Sequence, residues 1–174
     1  MTTIDWNIIP TYDIRVSDFD NPWELRSVFK ESKIFKYIYR INYKGIVLKF
    51  GMSSDVLSDP GERLYRQIGH AYGWGSPLKG NSGDDWYVIE QAVTDLYNIE
   101  MHKDDLTAKI WDVTNYPFIS ITPATEIKRM ESDLIQSYAS CVGTPPIGNI
   151  DDDKKIFKKG MITSEIFNRF IEEI

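Results

Sequence analysis

Apolar and polar positions along the chain fall into short periodic runs separated by turn-forming residues. Phe35-Lys36-Tyr37-Ile38-Tyr39-Arg40-Ile41-Asn42 and Ile46-Val47-Leu48-Lys49-Phe50-Gly51 are rich in β-branched and aromatic residues, with Tyr43-Lys44-Gly45 between them. Two such runs around a short glycine-containing turn predict a β-hairpin. Leu106 to Val113 has the same character and predicts a third strand.

Helix-start signals lie between and around these runs. Asn21-Pro22-Trp23-Glu24 offers an N-cap, a proline at the first helical position and an early glutamate, which predicts a short helix to about Glu31. Asp59-Pro60-Gly61-Glu62 repeats the pattern and predicts a helix through Arg63 to about His70. Asp84 or Asp85 can cap a helix from Trp86 to about Ile99, with Trp86, Ile89, Val93, Leu96 and Tyr97 as its apolar face. Thr122-Pro123 opens a helix through about Tyr138. Ile162, Ile166, Phe170 and Ile174 recur every four residues and predict an amphipathic terminal helix packed on the body. Gly73 to Gly83 reads as a loop, and Thr144-Pro145-Pro146-Ile147-Gly148-Asn149 as a turn. The order is hairpin, helix, helix, strand, helix, with a further helix at either end. Residues 1–33 form an N-terminal extension with a short helix, 34–150 the central domain, and 151–174 the C-terminal helix.

Composition supports a packed core. Of 174 residues, 42% are hydrophobic and 13% aromatic, well above what a disordered chain carries. No apolar run approaches the roughly 20 residues of a membrane span. Met1-Thr2-Thr3-Ile4-Asp5-Trp6 lacks the basic and apolar regions of a signal peptide. A single cysteine, Cys141, excludes an internal disulfide framework and a cysteine-based zinc site, and His70 and His102 alone cannot build a histidine-rich metal centre. A soluble, cytoplasmic protein making no membrane contact is the expectation.

The net charge of -6 counts against extensive wrapping of duplex DNA, where phosphate neutralisation supplies much of the affinity. The charge is uneven, however. Lys33, Lys36, Arg40, Lys44 and Lys49 fall within a stretch ending at Ser54 that contains no acid, whereas acids gather at Asp84-Asp85, Asp104-Asp105 and Asp151-Asp152-Asp153. A basic face on an acidic protein is compatible with this pattern.

Three groups of residues suit chemistry. On the helix opened by Thr122-Pro123, Ile127, Leu134, Ile135 and Tyr138 mark an apolar stripe, and Glu131 falls inside it. A carboxylate so placed either escapes to solvent or pairs with Lys128 or Arg129, or it faces a pocket where it can hold a hard cation such as Mg²⁺. On the helix after Asp59-Pro60, Arg63, Gln67 and His70 share one face. Arg63 is either a solvated arginine or a phosphate clamp, since its planar donor fork matches phosphate oxygens. In the hairpin, Tyr37 and Tyr39 point to one face, and whether Lys49 shares that face depends on register.

The order of these pieces resembles the GIY-YIG nuclease superfamily, of which the chain looks like a divergent member. Tyr37-Ile38-Tyr39 and Lys49-Phe50-Gly51 are similar to the paired motifs that name the family. Asp59-Pro60-Gly61-Glu62-Arg63-Leu64 looks like the helix carrying its arginine. Met130-Glu131-Ser132-Asp133-Leu134-Ile135 resembles the helix with the metal-binding glutamate, and Pro145-Pro146-Ile147-Gly148-Asn149 the asparagine that follows it. The chain departs from the pattern in having Tyr37 in place of the usual Gly and Lys49 in place of the usual Tyr. Gln67 stands where Tyr or His is frequent; Arg66 with His70 keeps the same four-residue spacing in a register slipped by three.

The resemblance implies an α+β fold with a small central antiparallel three-stranded sheet flanked by helices. It also implies a divalent-metal-dependent endonuclease hydrolysing phosphodiester bonds, with DNA as the expected nucleic acid and one Mg²⁺ or Mn²⁺ per site. Glu131 would hold the metal and Arg63 would neutralise charge on the phosphoryl oxygens, while Tyr39, with Lys49, would position or deprotonate the attacking water. Tyr37, Gln67, His70 and Asn149 take supporting places, and Lys36, Arg40 and Arg66 are the candidate substrate contacts. The terminal segments are candidate surfaces for a homodimer. The competing implication is a catalytically inactive scaffold of the same fold, acting as a nucleic-acid- or protein-binding regulatory module.

Overall fold

Thr11–Arg15 (β1), Tyr37–Tyr43 (β2), Ile46–Ser53 (β3) and Leu106–Asp112 (β4) form one antiparallel sheet in the order β1-β4-β2-β3. Among the described residues two α-helices join it, α1 at Pro22–Glu31 and α2 at Pro123–Val142. This computed structural model describes residues 4–19, 22–43, 46–54, 64, 106–119, 123–143, 145–146 and 149. The α+β class therefore stands. The helices expected over 59–70, 86–99 and 162–174, and the 73–83 loop, lie outside the described residues.

The sheet has four strands where the sequence leads one to expect three. The added strand is β1, from the stretch read as an extension, which pairs with β4 from Thr11↔Trp111 to Arg15↔Thr107. Pro10 begins this junction: its carbonyl accepts from the Asp112 N–H at 2.9 Å. Only Ile14 of the five β1 side chains is buried, as befits an edge strand. Strand β2 lies between β4 and β3, and all seven of its residues are buried. Period-two alternation sends Tyr37, Tyr39, Ile41 and Tyr43 to one face and Ile38, Arg40 and Asn42 to the other.

The Tyr39 face receives α1 through Phe29, whose ring meets Tyr37 edge-on at 5.0 Å. Leu25 and Phe29, one turn apart, are fully buried and anchor that helix. Lys33 ends it in the left-handed conformation at φ 55°, and the Ile34 N–H returns to the Phe29 carbonyl at 2.9 Å. The ends of β2 and β4 are tied by Thr114. Its Oγ1 accepts from the Phe35 and Lys36 N–H groups at 3.0 and 3.1 Å and donates to the Lys36 carbonyl at 3.3 Å.

Helix α2 runs along β3. Ile127, Met130, Leu134, Tyr138 and Val142 form its buried stripe, and the Tyr138 ring stands 6.5 Å from Phe50. Met130 and Val142 extend the expected stripe, while Ile135 is half-buried at its border. Gly143, at φ 95°, closes the helix with its N–H on the Ala139 carbonyl at 2.8 Å. No helix among the described residues is long and apolar enough to cross a membrane.

Candidate functional site

The site begins with a bulge. At the turn end of the hairpin Tyr43 pairs with Ile46 and Asn42 with Val47; an unbroken ladder would continue with Ile41 opposite Leu48 and Tyr39 opposite Phe50. The register shifts between Ile41 and Asn42, so the observed pairs are Ile41↔Lys49, Tyr39↔Gly51 and Tyr37↔Ser53. One extra residue in β3 reverses which face each following side chain takes. Lys49 and Gly51 consequently share the face of Tyr37 and Tyr39.

Tyr39 is buried with its ring over Gly51. A Cβ built on Gly51 would overlap Cζ and Oη of Tyr39, so no larger residue fits beneath the tyrosine as it stands. Tyr37, also buried, stacks obliquely beside Tyr39 at 6.2 Å. Its hydroxyl accepts from the Leu64 N–H at 3.4 Å. Leu64 is fully buried, and its backbone is thereby fastened to the hairpin immediately after Arg63 in the chain. Arg63, Arg66, Gln67 and His70 themselves lie outside the described residues.

Glu131 occupies α2 two turns before Tyr138, on the side of the helix turned toward β3. It is half-buried, and burial pushes its carboxyl above the ordinary glutamate range, against the opposing pull of Lys128 and Lys49. The electrostatic reach of Lys49 to Glu131 joins the edge strand to the helix. Lys128 is exposed and lies three residues before Glu131, which keeps the ion-pair reading of this carboxylate alongside the cation-binding one.

Asn149 holds the chain beyond α2 against the same strand. Its Oδ1 accepts from the Phe50 N–H at 2.8 Å, and its Nδ2 donates to the Phe50 carbonyl at 2.9 Å. These are backbone groups on the outer edge of β3, so the side-chain amide acts as a one-residue continuation of the sheet. Asn149 touches the motif strand directly, at the residue between Lys49 and Gly51.

Tyr37, Tyr39, Lys49 and Gly51 thus share one face at the middle of the hairpin. Helix α2 meets the sheet through Phe50, on the other face, so Glu131 is linked to this group through the charge of Lys49 and Asn149 through the outer edge of β3. Lys36 and Arg40 are not part of that group. Lys36 is half-buried at the start of β2, with its backbone engaged by Thr114 and Val113. Arg40 projects to the opposite face and is only 4% exposed. Gly51 is the residue whose role the sequence pattern understates: its motif position is visible, but the ring resting on it is a tertiary fact.

Among the described residues no group of three or more histidine, cysteine or acidic side chains converges to enclose a metal. Glu131 nevertheless suits Mg²⁺ in another mode. That ion keeps several waters and is commonly held by one or two carboxylates together with phosphate oxygens. A hard oxygen donor whose ionised form is disfavoured by burial also gains from an adjacent cation. No family model matches the chain, and no curated protein or solved structure shows significant similarity to it.

Proposed function

We propose that the chain is a metal-dependent endonuclease of the GIY-YIG type, hydrolysing phosphodiester bonds in DNA. The observation that carries this reading is the meeting of the two motif strands with the glutamate helix. Tyr39 lies over Gly51, Lys49 emerges on the same face, and Glu131 answers Lys49 from α2.

In this reading Glu131 would hold one Mg²⁺ or Mn²⁺ through its carboxylate. The metal, when bound, supplies Lewis-acid stabilisation of the phosphate and leaving oxygen. Tyr39 is held rigidly by Gly51 and Tyr37, so its hydroxyl is preorganised to orient the attacking water. Lys49 adds a positive charge beside the reacting phosphate and assists proton removal from the water. Arg63 is assigned the phosphoryl oxygens because it directly precedes Leu64, whose amide Tyr37 binds. Asn149 positions the Lys49-Phe50-Gly51 segment without touching the substrate. Gln67 or His70 remains the proposed supporting residue, and Arg66 and Lys36 proposed contacts to the nucleic-acid backbone.

The test is nicking of supercoiled plasmid at low salt, with Mg²⁺ or Mn²⁺ and with EDTA, beside Glu131→Ala and Arg63→Ala. Cation-dependent nicking lost in both variants supports the assignment. Folded protein that cleaves neither plasmid, branched DNA nor RNA would leave the fold as a binding module.

A further inference from the structure

The two outer edges of the sheet are finished differently. On β3 the Phe50 N–H and carbonyl point outward, and Asn149 occupies both. On β1 the direction of each backbone group follows from the pairing with β4. The Asp112 N–H donates to the Pro10 carbonyl at 2.9 Å, which makes Pro10 and Asp112 a hydrogen-bonded pair. Such pairs alternate along an antiparallel ladder. Tyr12 with Ile110 and Ile14 with Ala108 therefore spend their backbone groups on β4, whereas Thr11, Asp13 and Arg15 turn their N–H groups outward. The other side of β4 has the complementary phase, since the Val113 N–H donates to the Lys36 carbonyl at 2.9 Å. Among the described residues nothing pairs with the outer edge of β1.

A strand edge in this state recruits a further strand, and the charges on it decide which one. Thr11, Tyr12, Asp13 and Arg15 are all exposed, Tyr12 at 41%. Asp13 and Arg15 stand two residues apart, on one face, with opposite charge. A neutral or uniformly charged strand leaves at least one of them unanswered. A second copy of β1 answers both. With Ile14 on the symmetry axis of an antiparallel pair, Asp13 of each copy falls opposite Arg15 of the other.

We propose that β1 is the surface at which two copies of this chain join, by antiparallel pairing into one sheet that continues through both. The Arg15 N–H of each copy donates to the Asp13 carbonyl of the other, and the two side chains form an ion pair on either side of the axis. On the opposite face Ile14 meets Ile14 of the partner subunit at the closer, non-hydrogen-bonded spacing. Tyr12 lies diagonal to that residue, within reach of its aromatic ring, and loses its exposure. The neighbouring register, with Thr11 opposite Arg15, sets Asp13 against Asp13 of the partner subunit and is disfavoured by like charge. The interface lies at the far edge of the sheet from β3 and does not depend on the hydrolytic reading.

The experiment follows the full chain by sedimentation over a concentration series, with amide hydrogen exchange measured at its dilute and concentrated ends. Association should rise with concentration, and protection of the Asp13 and Arg15 amides should rise with it. The Tyr12 and Ile14 amides, already bonded to β4, should stay protected throughout. Thr11 should exchange freely at both ends, because it faces Ser17 of the partner subunit, beyond the end of that strand. Arg15→Asp and Asp13→Arg should each weaken self-association about tenfold by setting like charges opposite each other. An equimolar mixture of the two variants should regain wild-type association as a mixed dimer. Asp13 also acts on Arg40 and Lys109 of its own chain, so circular dichroism checks that its variant folds, and the exchange measurement decides the matter on the unaltered protein. The proposal is overturned by a chain that stays monomeric across the series, by association that leaves the Asp13 and Arg15 amides unprotected, by equal protection of Thr11, or by a mixture of folded variants no stronger than its components.

Discussion

Tyr39 and Gly51 face each other across the β2–β3 pair, and the tyrosine ring occupies the space a Cβ on Gly51 would need. Glycine inside a strand ordinarily weakens it, so its presence calls for a close approach by something else. Here the something else is the ring of Tyr39. The two residues are one packing unit.

Gly51→Ala should force the Tyr39 ring from its site and destabilise the fold by about 1–3 kcal/mol, the usual cost of overpacking. The same substitution in a Tyr39→Ala background should cost much less, giving a positive coupling in a double-mutant cycle. Urea denaturation of the four proteins measures it. Additive effects would mean that the ring does not rest on the glycine in solution.

The hairpin, β4 and both helices are legible in the sequence because each combines a strong period with a clear boundary. Pro22 and Pro123 open α1 and α2; the end of the latter is less legible, since it runs past the expected stop at Tyr138 to Val142 before Gly143 closes it. Strand β1 is not legible, since a five-residue edge strand with Ile14 as its single buried side chain leaves almost no pattern. The face of Lys49 is equally hidden. Counting pairs from Tyr43↔Ile46 places it opposite Arg40, and only the bulge beside Ile41 returns it to the Tyr39 side. The stripe position of Glu131 does show in the spacing of Ile127 and Leu134. Its relation to Lys49 is an electrostatic influence between distant segments that no local period encodes.

Asn149 satisfies both exposed backbone groups of Phe50, so Asn149→Ala removes two hydrogen bonds and uncovers the edge of β3. A loss of about 1–3 kcal/mol is expected. Concentration-dependent association should rise as the bare edge becomes available for pairing. Chemical denaturation and light scattering read the two effects separately. Asn149→Asp, which keeps an acceptor for the Phe50 N–H but loses the donor to its carbonyl, should also destabilise at neutral pH.

The Tyr37 hydroxyl accepts from the Leu64 amide within the core. Tyr37→Phe should cost about 0.5–1.5 kcal/mol, the net value of an ordinary hydrogen bond. Hydrogen exchange at Leu64 should accelerate more than exchange in α2. An unchanged Leu64 protection factor would show that the hydroxyl does not hold this segment.

Burial raises the Glu131 carboxyl above its unfolded value, so the native state holds its proton more firmly than the unfolded chain does. The stability it contributes is complete below the unfolded pKa and is lost as pH rises through the folded one. Glu131→Gln should therefore raise the melting temperature at pH about 7 and lose that advantage below about 4, near the ordinary carboxyl range. Mg²⁺ should stabilise the wild type and leave Glu131→Gln unaffected, because only the carboxylate form binds. Greater stability of the wild type at neutral pH without metal would contradict the sign.

Lys49 opposes the rise in the Glu131 carboxyl, so the two side chains are electrostatically linked across β3 and α2. Lys49→Met should push that carboxyl higher still, so the stability advantage of Glu131→Gln should begin at the same pH but keep growing to a higher one and end larger. It should also favour Mg²⁺ at saturating pH, since a cation competing for the same carboxylate is gone. Nicking, by contrast, should fall by about 10²–10⁴-fold if Lys49 assists proton transfer. Tighter metal binding with lost cleavage separates a chemical role from a metal-holding one. Weaker metal binding in Lys49→Met would show that the lysine organises the glutamate rather than competing for it, and would remove Lys49 from the catalytic group.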